Sequence, residues 1–91
     1  MGFYLLASTT WNPPNLVDGG NTTTTVAVTG AELGDPVEVS MSASLGSAGN
    51  YCQLFGYVSA TDVVTLVMHN SSGAAVNVGS GTVQIRVGKF A

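Results

Sequence analysis

Hydrophobic and polar residues alternate along much of this chain, as they do in β-strands that bury one face. Between residues 37 and 44, valine, methionine and alanine alternate with glutamate and serine. Near the C-terminus, Val83, Ile85 and Val87 alternate with polar residues. Residues 21–29 are rich in threonine and valine, whose β-branched side chains favour strands. These patterns predict three strands.

Two further segments carry apolar side chains on both faces, which is typical of strands covered on both sides. They predict a central or doubly covered strand at Tyr51–Val58 and a buried strand at Val63–His69. The sequence Asn70-Ser71-Ser72-Gly73 has the composition of a hairpin connection, with Gly73 placed to take a positive φ. We therefore predict a return strand at Ala74–Val78.

The N-terminal residues differ from the rest because the apolar stretch Phe3–Leu6 is followed by Pro13 and Pro14. Proline lacks an N–H donor, so the segment Trp11–Leu16 is expected to be an extended linker rather than interior strand. Two alternatives are open for Phe3–Leu6: the first core strand of this domain, or an arm that pairs with a neighbouring subunit. We divide the chain into an N-terminal arm and Pro-containing linker, residues 1–16, and a β-sandwich domain, residues 17–91.

No window of the sequence has helical spacing of apolar residues without glycine or β-branched runs. Six or seven short strands separated by Gly-, Asn- and Ser-rich turns predict an all-β fold. We expect a small antiparallel β-sandwich or jelly-roll-like barrel with an N-terminal arm. The 91 residues have room for one such domain.

Charge changes this picture, because charged residues make up only 8% of the chain against roughly 25% in an ordinary soluble domain. Neutral Thr, Ser, Asn and Gly could solubilise such a surface, but charge depletion is also typical of the core of permanent interfaces. We favour the second explanation and predict an oligomer or lattice component. Arg86 and Lys89 are the only cations beside five acidic residues, so no basic stripe for nucleic acid is present. The apolar N-terminus is too short to span a membrane, so we predict no membrane partner.

Candidate chemical groups are sparse, and each has a structural interpretation. The single histidine, His69, has no neighbouring residues at metal-ligand spacing, and the single cysteine, Cys52, is expected to be a buried thiol. The acidic residues fall in predicted turns or on a polar strand face. We therefore predict no catalytic residue, no metal ligand, no cofactor and no enzymatic activity. The acidic residues are Asp18, Glu32, Asp35, Glu38 and Asp62.

Aromatic residues offer one alternative function. Tyr51, Phe55 and Tyr57 lie on one alternating face of a predicted strand, and we assign them to core packing. Trp11 and the tyrosines could instead present flat apolar faces to pyranose rings. A carbohydrate-binding module is therefore kept as an alternative.

Several turns and strand starts between Trp11 and Val87 are similar to those of a known class. The segments are Trp11-Asn12-Pro13-Pro14, Asp18-Gly19, Thr22-Thr23-Thr24-Thr25-Val26, Val28-Thr29-Gly30-Ala31, Leu33-Gly34-Asp35, Val58-Ser59-Ala60-Thr61-Asp62-Val63-Val64-Thr65, Asn70-Ser71-Ser72-Gly73 and Ser80-Gly81-Thr82-Val83-Gln84-Ile85-Arg86-Val87. With them the chain resembles the small β-sandwich structural proteins of tailed bacteriophages. These occur as head decoration (cement) proteins and as tail or fibre modules.

The resemblance implies a structural virion protein rather than an enzyme. It implies a capsid decoration protein, made in the host cytoplasm and located on the capsid surface, that forms a homotrimer and clamps subunits of the major capsid protein. The alternatives are a tail or fibre module and the carbohydrate-binding module. The apolar N-terminal residues are the expected anchor, so we predict interface residues at Phe3, Tyr4, Leu5, Leu6 and Trp11.

Overall fold

The structure is a computed structural model, and it describes residues 3–41, 52–77 and 79–89. These residues form six β-strands and no helix, which confirms the predicted all-β class. The predictions for residues 42–51, Val78 and Phe90 lie outside the described residues. The strands are β1 (Phe3–Trp11), β2 (Asn21–Ala27), β3 (Val37–Met41), β4 (Cys52–Ala60), β5 (Val63–Asn70) and β6 (Gly81–Lys89).

The strands form two three-stranded sheets that pack face to face as a small sandwich. The first sheet has the order β1-β6-β3 and the second has the order β2-β5-β4, with every neighbouring pair antiparallel. The alternating segment near the C-terminus therefore becomes the central strand of the first sheet. The predicted buried strand Val63–His69 becomes the centre of the second sheet, as β5.

The core lies between the two central strands. Val83, Ile85 and Val87 of β6 are almost completely buried, and so are alternate residues of β5. Burial of one such side chain contributes roughly 1.5–3 kcal/mol, so the two stripes supply much of the apolar stabilisation. The buried residues of β5 are Val64, Leu66 and Met68.

Glycine at position 56 lets the sheets approach closely where β4 meets β3. A Cβ atom on Gly56 would lie 3.1 Å from Cδ2 of Leu66 and 3.3 Å from a Cγ1 atom of each of Val37 and Val39. These distances are shorter than ordinary contacts, so a larger residue here would require the side chains of Leu66, Val37 and Val39 to shift by a few tenths of an ångström. The two sheets are therefore in direct contact along β3 and β4, and we call this the closed side of the sandwich.

Two strand predictions were wrong. The segment predicted as a central or doubly covered strand, Tyr51–Val58, lies from Cys52 onward in β4, which is at the edge of its sheet and exposes one face. The predicted return strand Ala74–Val78 does not form in its described part, where only Val76 makes an isolated bridge, to Leu16. The preceding turn does contain the expected left-handed glycine, since Gly73 has φ 91°.

The N-terminal segment Phe3–Leu6 belongs to this chain's own sandwich, the first of the two alternatives. It lies in β1, which pairs along its whole length with β6, from Phe3 opposite Lys89 to Trp11 opposite Gly81. The segment after it forms no regular strand, with only an isolated bridge at Leu16, and it packs against the core. Pro13 is fully buried, and Leu16 exchanges two backbone hydrogen bonds with Val76, at 2.9 and 2.8 Å.

Candidate functional site

The outer face of the first sheet carries an ion pair and a stacked aromatic ring. A guanidinium nitrogen of Arg86, Nη2, donates to Oε2 of Glu38 at 2.8 Å, across neighbouring strands. The same guanidinium lies 4.8 Å from the centre of the Tyr4 ring, a cation–π distance. The hydrogen bond to Glu38 raises the pKa of Arg86. Glu38 and Arg86 border an open depression of about 590 Å³, which Ser8, Ser40 and Gln84 also line.

A second ionic group lies at the end of β6. The ammonium group of Lys89 donates to Oδ2 of Asp35 at 2.7 Å and to Oε1 of Glu32 at 3.0 Å. The same Asp35 oxygen accepts the backbone N–H of Glu32 at 3.0 Å, which closes the turn between β2 and β3. Lys89, and then the Glu32 N–H, lower the pKa of Asp35. Hydrogen bonds to Asp35 and Glu32 raise the pKa of Lys89.

The remaining acidic residues form turns, as predicted. Oδ1 of Asp18 accepts the N–H of Gly73 at 3.0 Å, and Oδ1 of Asp62 accepts the N–H of Gly30 at 2.8 Å. Asp62 itself has φ 65°, in the left-handed region that Asp tolerates better than most residues. Every one of the seven charged side chains is therefore bound to another group of the chain.

The single histidine and the single cysteine also have structural roles. Nδ1 of His69 forms a hydrogen bond with Oδ1 of Asn21 across β5 and β2. Cys52 is a buried free thiol, as predicted, and burial raises its pKa. In residues 3–41, 52–77 and 79–89, no group of three or more His, Cys, Asp or Glu side chains is arranged to hold a metal ion. The same residues include no helix of the length and hydropathy needed to cross a membrane.

The outer face of the second sheet contains no charged residue, and we call it the neutral face. It is formed by alternate residues of β2, β5 and β4, which lie side by side in the register of the sheet. At the spacing of β-strands, it measures roughly 14 by 23 Å, or about 300 Å². Its residues are Asn21, Thr23, Thr25, Ala27, Gln53, Phe55, Tyr57, Val63, Thr65, Val67 and His69.

Two large aromatic side chains stand on the neutral face. Phe55 and Tyr57 are each 50% exposed, and they lie opposite Val67 and Thr65 of the central strand. Their assignment to core packing was therefore wrong: the core side of β4 is the side that carries Gly56. The third aromatic of that prediction, Tyr51, lies outside the described residues.

The sequence contained a signal that distinguishes the two faces of β4. The core-facing residues Cys52, Leu54, Gly56 and Val58 are all small or aliphatic, whereas the aromatics occupy the other face. A glycine in the middle of a strand often marks a close approach by other residues. Its position predicts the packed face, and hence the exposure of the aromatics on either side of it.

The predicted interface residues lie on the other sheet, in or at the end of β1. Phe3, Tyr4 and Leu6 are 51%, 56% and 76% exposed, and Leu5 is half-buried against the core. Trp11 is buried, at 8% exposure, so it contributes to the core of this chain and presents no flat face to solvent. The structure thus separates two uncharged surfaces: β1 in the first sheet and the neutral face of the second.

Comparison of the chain with protein-family models, with curated proteins and with solved structures gave no match.

Proposed function

We propose that this chain is a structural subunit that binds other protein subunits through its neutral face. The observation that carries the proposal is the exposure of Phe55 and Tyr57 on a sheet face with no charged residue. Interface cores are depleted in charge and enriched in aromatic residues, and this face has both properties. Its aromatic side chains are not needed by the core of the chain, which lies on the opposite side of β4.

The distribution of charge supports a structural rather than a catalytic role. All seven charged side chains are bound within the chain, and His69 is bound to Asn21. General acid–base and nucleophilic catalysis use titratable groups directed at a substrate. We therefore propose that the chain is not an enzyme and that it acts by binding alone.

The resemblance to tailed-phage proteins makes the proposal more specific. We propose that the chain is a head decoration protein of the virion, which binds the major capsid protein at the capsid surface. A flat, uncharged face suits this role because many copies packed on one shell do not repel each other through it. Neutral Thr, Asn and Gln side chains around the aromatics can hydrogen-bond across wet parts of such a contact.

The test is co-sedimentation with shells assembled from the major capsid protein of the same genome. Replacing both aromatics, Phe55→Ser with Tyr57→Ser, is expected to weaken binding about a hundredfold, because buried aromatics are typical interface hot spots. Leu33→Ser is the matched control, since Leu33 is 69% exposed in the β2–β3 turn, away from the neutral face. Thermal unfolding checks that all variants keep the fold.

Two results would contradict this proposal. If the double variant binds shells as tightly as the unchanged chain, the neutral face is not the contact surface. If the unchanged chain does not bind shells, the decoration role is wrong, and binding to purified tails or fibres then tests the alternative of a tail or fibre module.

One specific observation supports the alternative of a carbohydrate-binding module. Phe55 and Tyr57 project from one strand beside polar Thr65 and Gln53, an arrangement that can accept a sugar ring. Trp11, which first motivated this alternative, is buried. A glycan array probed with the unchanged chain and with Tyr57→Ser separates the two candidates, because only a sugar-binding module gives a signal that the substitution removes.

A further inference from the structure

The four edge strands of the sandwich differ in how they are protected against pairing with another chain. Proteins protect edges with short strands, charges, prolines or bulges. β3 has five residues and carries Glu38, and β4 has a register shift between Val58 and Ala60. The edge of each sheet on the closed side of the sandwich is therefore protected.

The edge strands on the opposite side, β1 in the first sheet and β2 in the second, have none of these devices. β1 is the longer of the two, and its inward residues Leu5 and Ala7 are apolar, whereas those of β2 include Thr22 and Thr24. β1 has nine residues, none of them charged or proline, and it pairs with β6 without any register shift. No strand among the described residues covers its other edge. Within the described part of the chain, its backbone N–H and C=O groups on that edge have no strand partner, and the side chains of Phe3, Tyr4 and Leu6 beside them are exposed.

The core is also incompletely covered at β1. Leu5 and Ala7 face inward, opposite Val87 and Ile85 of β6, which are buried. Leu5 and Ala7 themselves are only partly buried, because β1 is the last strand of its sheet. An additional strand beside β1 would extend both the backbone ladder and the apolar layer beneath it.

We propose that β1 pairs antiparallel with β1 of a second copy of this chain. The added strand must supply a free edge, apolar inward residues and no charge, and a second β1 supplies all three. Antiparallel pairing of a strand with itself is symmetric, so one two-fold axis gives both copies the same contact. The first sheets of the two copies then form one six-stranded sheet with β1 strands at its centre.

This inference rests on the proposed function, in that a structural subunit assembles with its own kind. The β1 edge and the neutral face belong to different sheets, so both contacts can form in one assembly. A two-fold contact closes at two copies, which distinguishes it from the homotrimer that the resemblance implies.

The test compares Ser8→Lys with Gln84→Lys by sedimentation equilibrium at micromolar concentrations. Ser8 and Gln84 are opposite each other on the same exposed face, but Ser8 is in the edge strand and Gln84 is in the central strand. The unchanged chain is expected to form a dimer. Ser8→Lys should raise the dimer dissociation constant roughly tenfold, because like charges on paired strands repel, and Gln84→Lys should leave it nearly unchanged.

Three results would overturn the inference: an unchanged chain that is monomeric, one that is trimeric, or a dimer that both substitutions weaken equally. A trimer would still agree with the proposed function, and shell binding tests that function separately. Hydrogen exchange gives a second readout that needs no substitution. Amides of β1 should exchange more slowly as concentration rises through the dimer dissociation constant, and exchange independent of concentration would contradict the pairing.

Discussion

Asn70 is the buried polar residue that joins the loops at one end of the sandwich. Its amide nitrogen Nδ2 lies within hydrogen-bonding distance of three carbonyl oxygens, those of Leu16, Val17 and Ala74, at 3.0, 3.2 and 2.8 Å. Its Oδ1 accepts the N–H of Ser72 at 2.9 Å. Sequence patterns indicated only a turn at this position, because the acceptors of Nδ2 at Leu16 and Val17 are more than fifty residues away.

Replacing the amide by a carboxylate tests this role. Asn70→Asp places an oxygen against carbonyl oxygens in a buried site, so we expect a loss of about 3 kcal/mol in the free energy of unfolding. Asn77→Asp is the control, because Oδ1 of Asn77 accepts the N–H of Gly79 and a carboxylate can do the same. Urea unfolding of both variants gives the comparison, and equal stabilities would contradict the assigned role of Asn70.

At the scale of elements, Lys89 at the end of β6 binds the β2–β3 turn through its hydrogen bonds to Asp35 and Glu32. The pKa of Asp35 lies below its ordinary value of 3.8, so its contribution to stability is present above pH 3.8 and is lost as pH falls through the lowered value. The pKa of Lys89 lies above its ordinary value of 10.5, so its contribution is present below pH 10.5 and is lost at higher pH. Between these limits the contact is fully formed.

Asp35→Asn is therefore expected to lower the free energy of unfolding at pH 7. The difference from the unchanged chain should shrink below pH 3.8, where the carboxyl group of the unchanged chain becomes protonated and loses its attraction to Lys89. Urea unfolding of both proteins across this range measures the difference. A difference that stays constant down to pH 2 would contradict a role for the charge of Asp35.

Strands were predictable from the sequence where only one face is apolar. Val83, Ile85 and Val87 had to face a core because the residues between them are polar, and the structure confirms this. Where both faces of a strand are apolar, alternation does not show whether both are buried. The prediction of a buried strand was correct for β5, at the centre of its sheet. The prediction of a central or doubly covered strand was wrong for β4, an edge strand whose aromatic face is exposed. Strand order and edge position depend on contacts between distant residues, which alternation does not encode.

At the scale of the whole molecule, the amount of exposed surface is ordinary, and its distribution of charge is not. The accessible surface is 5041 Å², close to the roughly 4,900 Å² expected of a folded monomer of this mass. The composition shows that charged residues are few, but it does not show which surface lacks them. The folded chain concentrates Arg86, Lys89 and their acidic partners on the first sheet and its end, and it leaves the neutral face without charge.

Co-sedimentation of the purified chain with shells of the major capsid protein, at low and at high salt, tests whether the neutral face is a binding surface. We expect saturable binding at a fixed ratio, with an affinity that changes less than about threefold between about 0.05 and about 0.5 M salt, because the neutral face has no charge to screen. Binding that never saturates, or that weakens about tenfold or more over this range, would contradict a binding role for the neutral face.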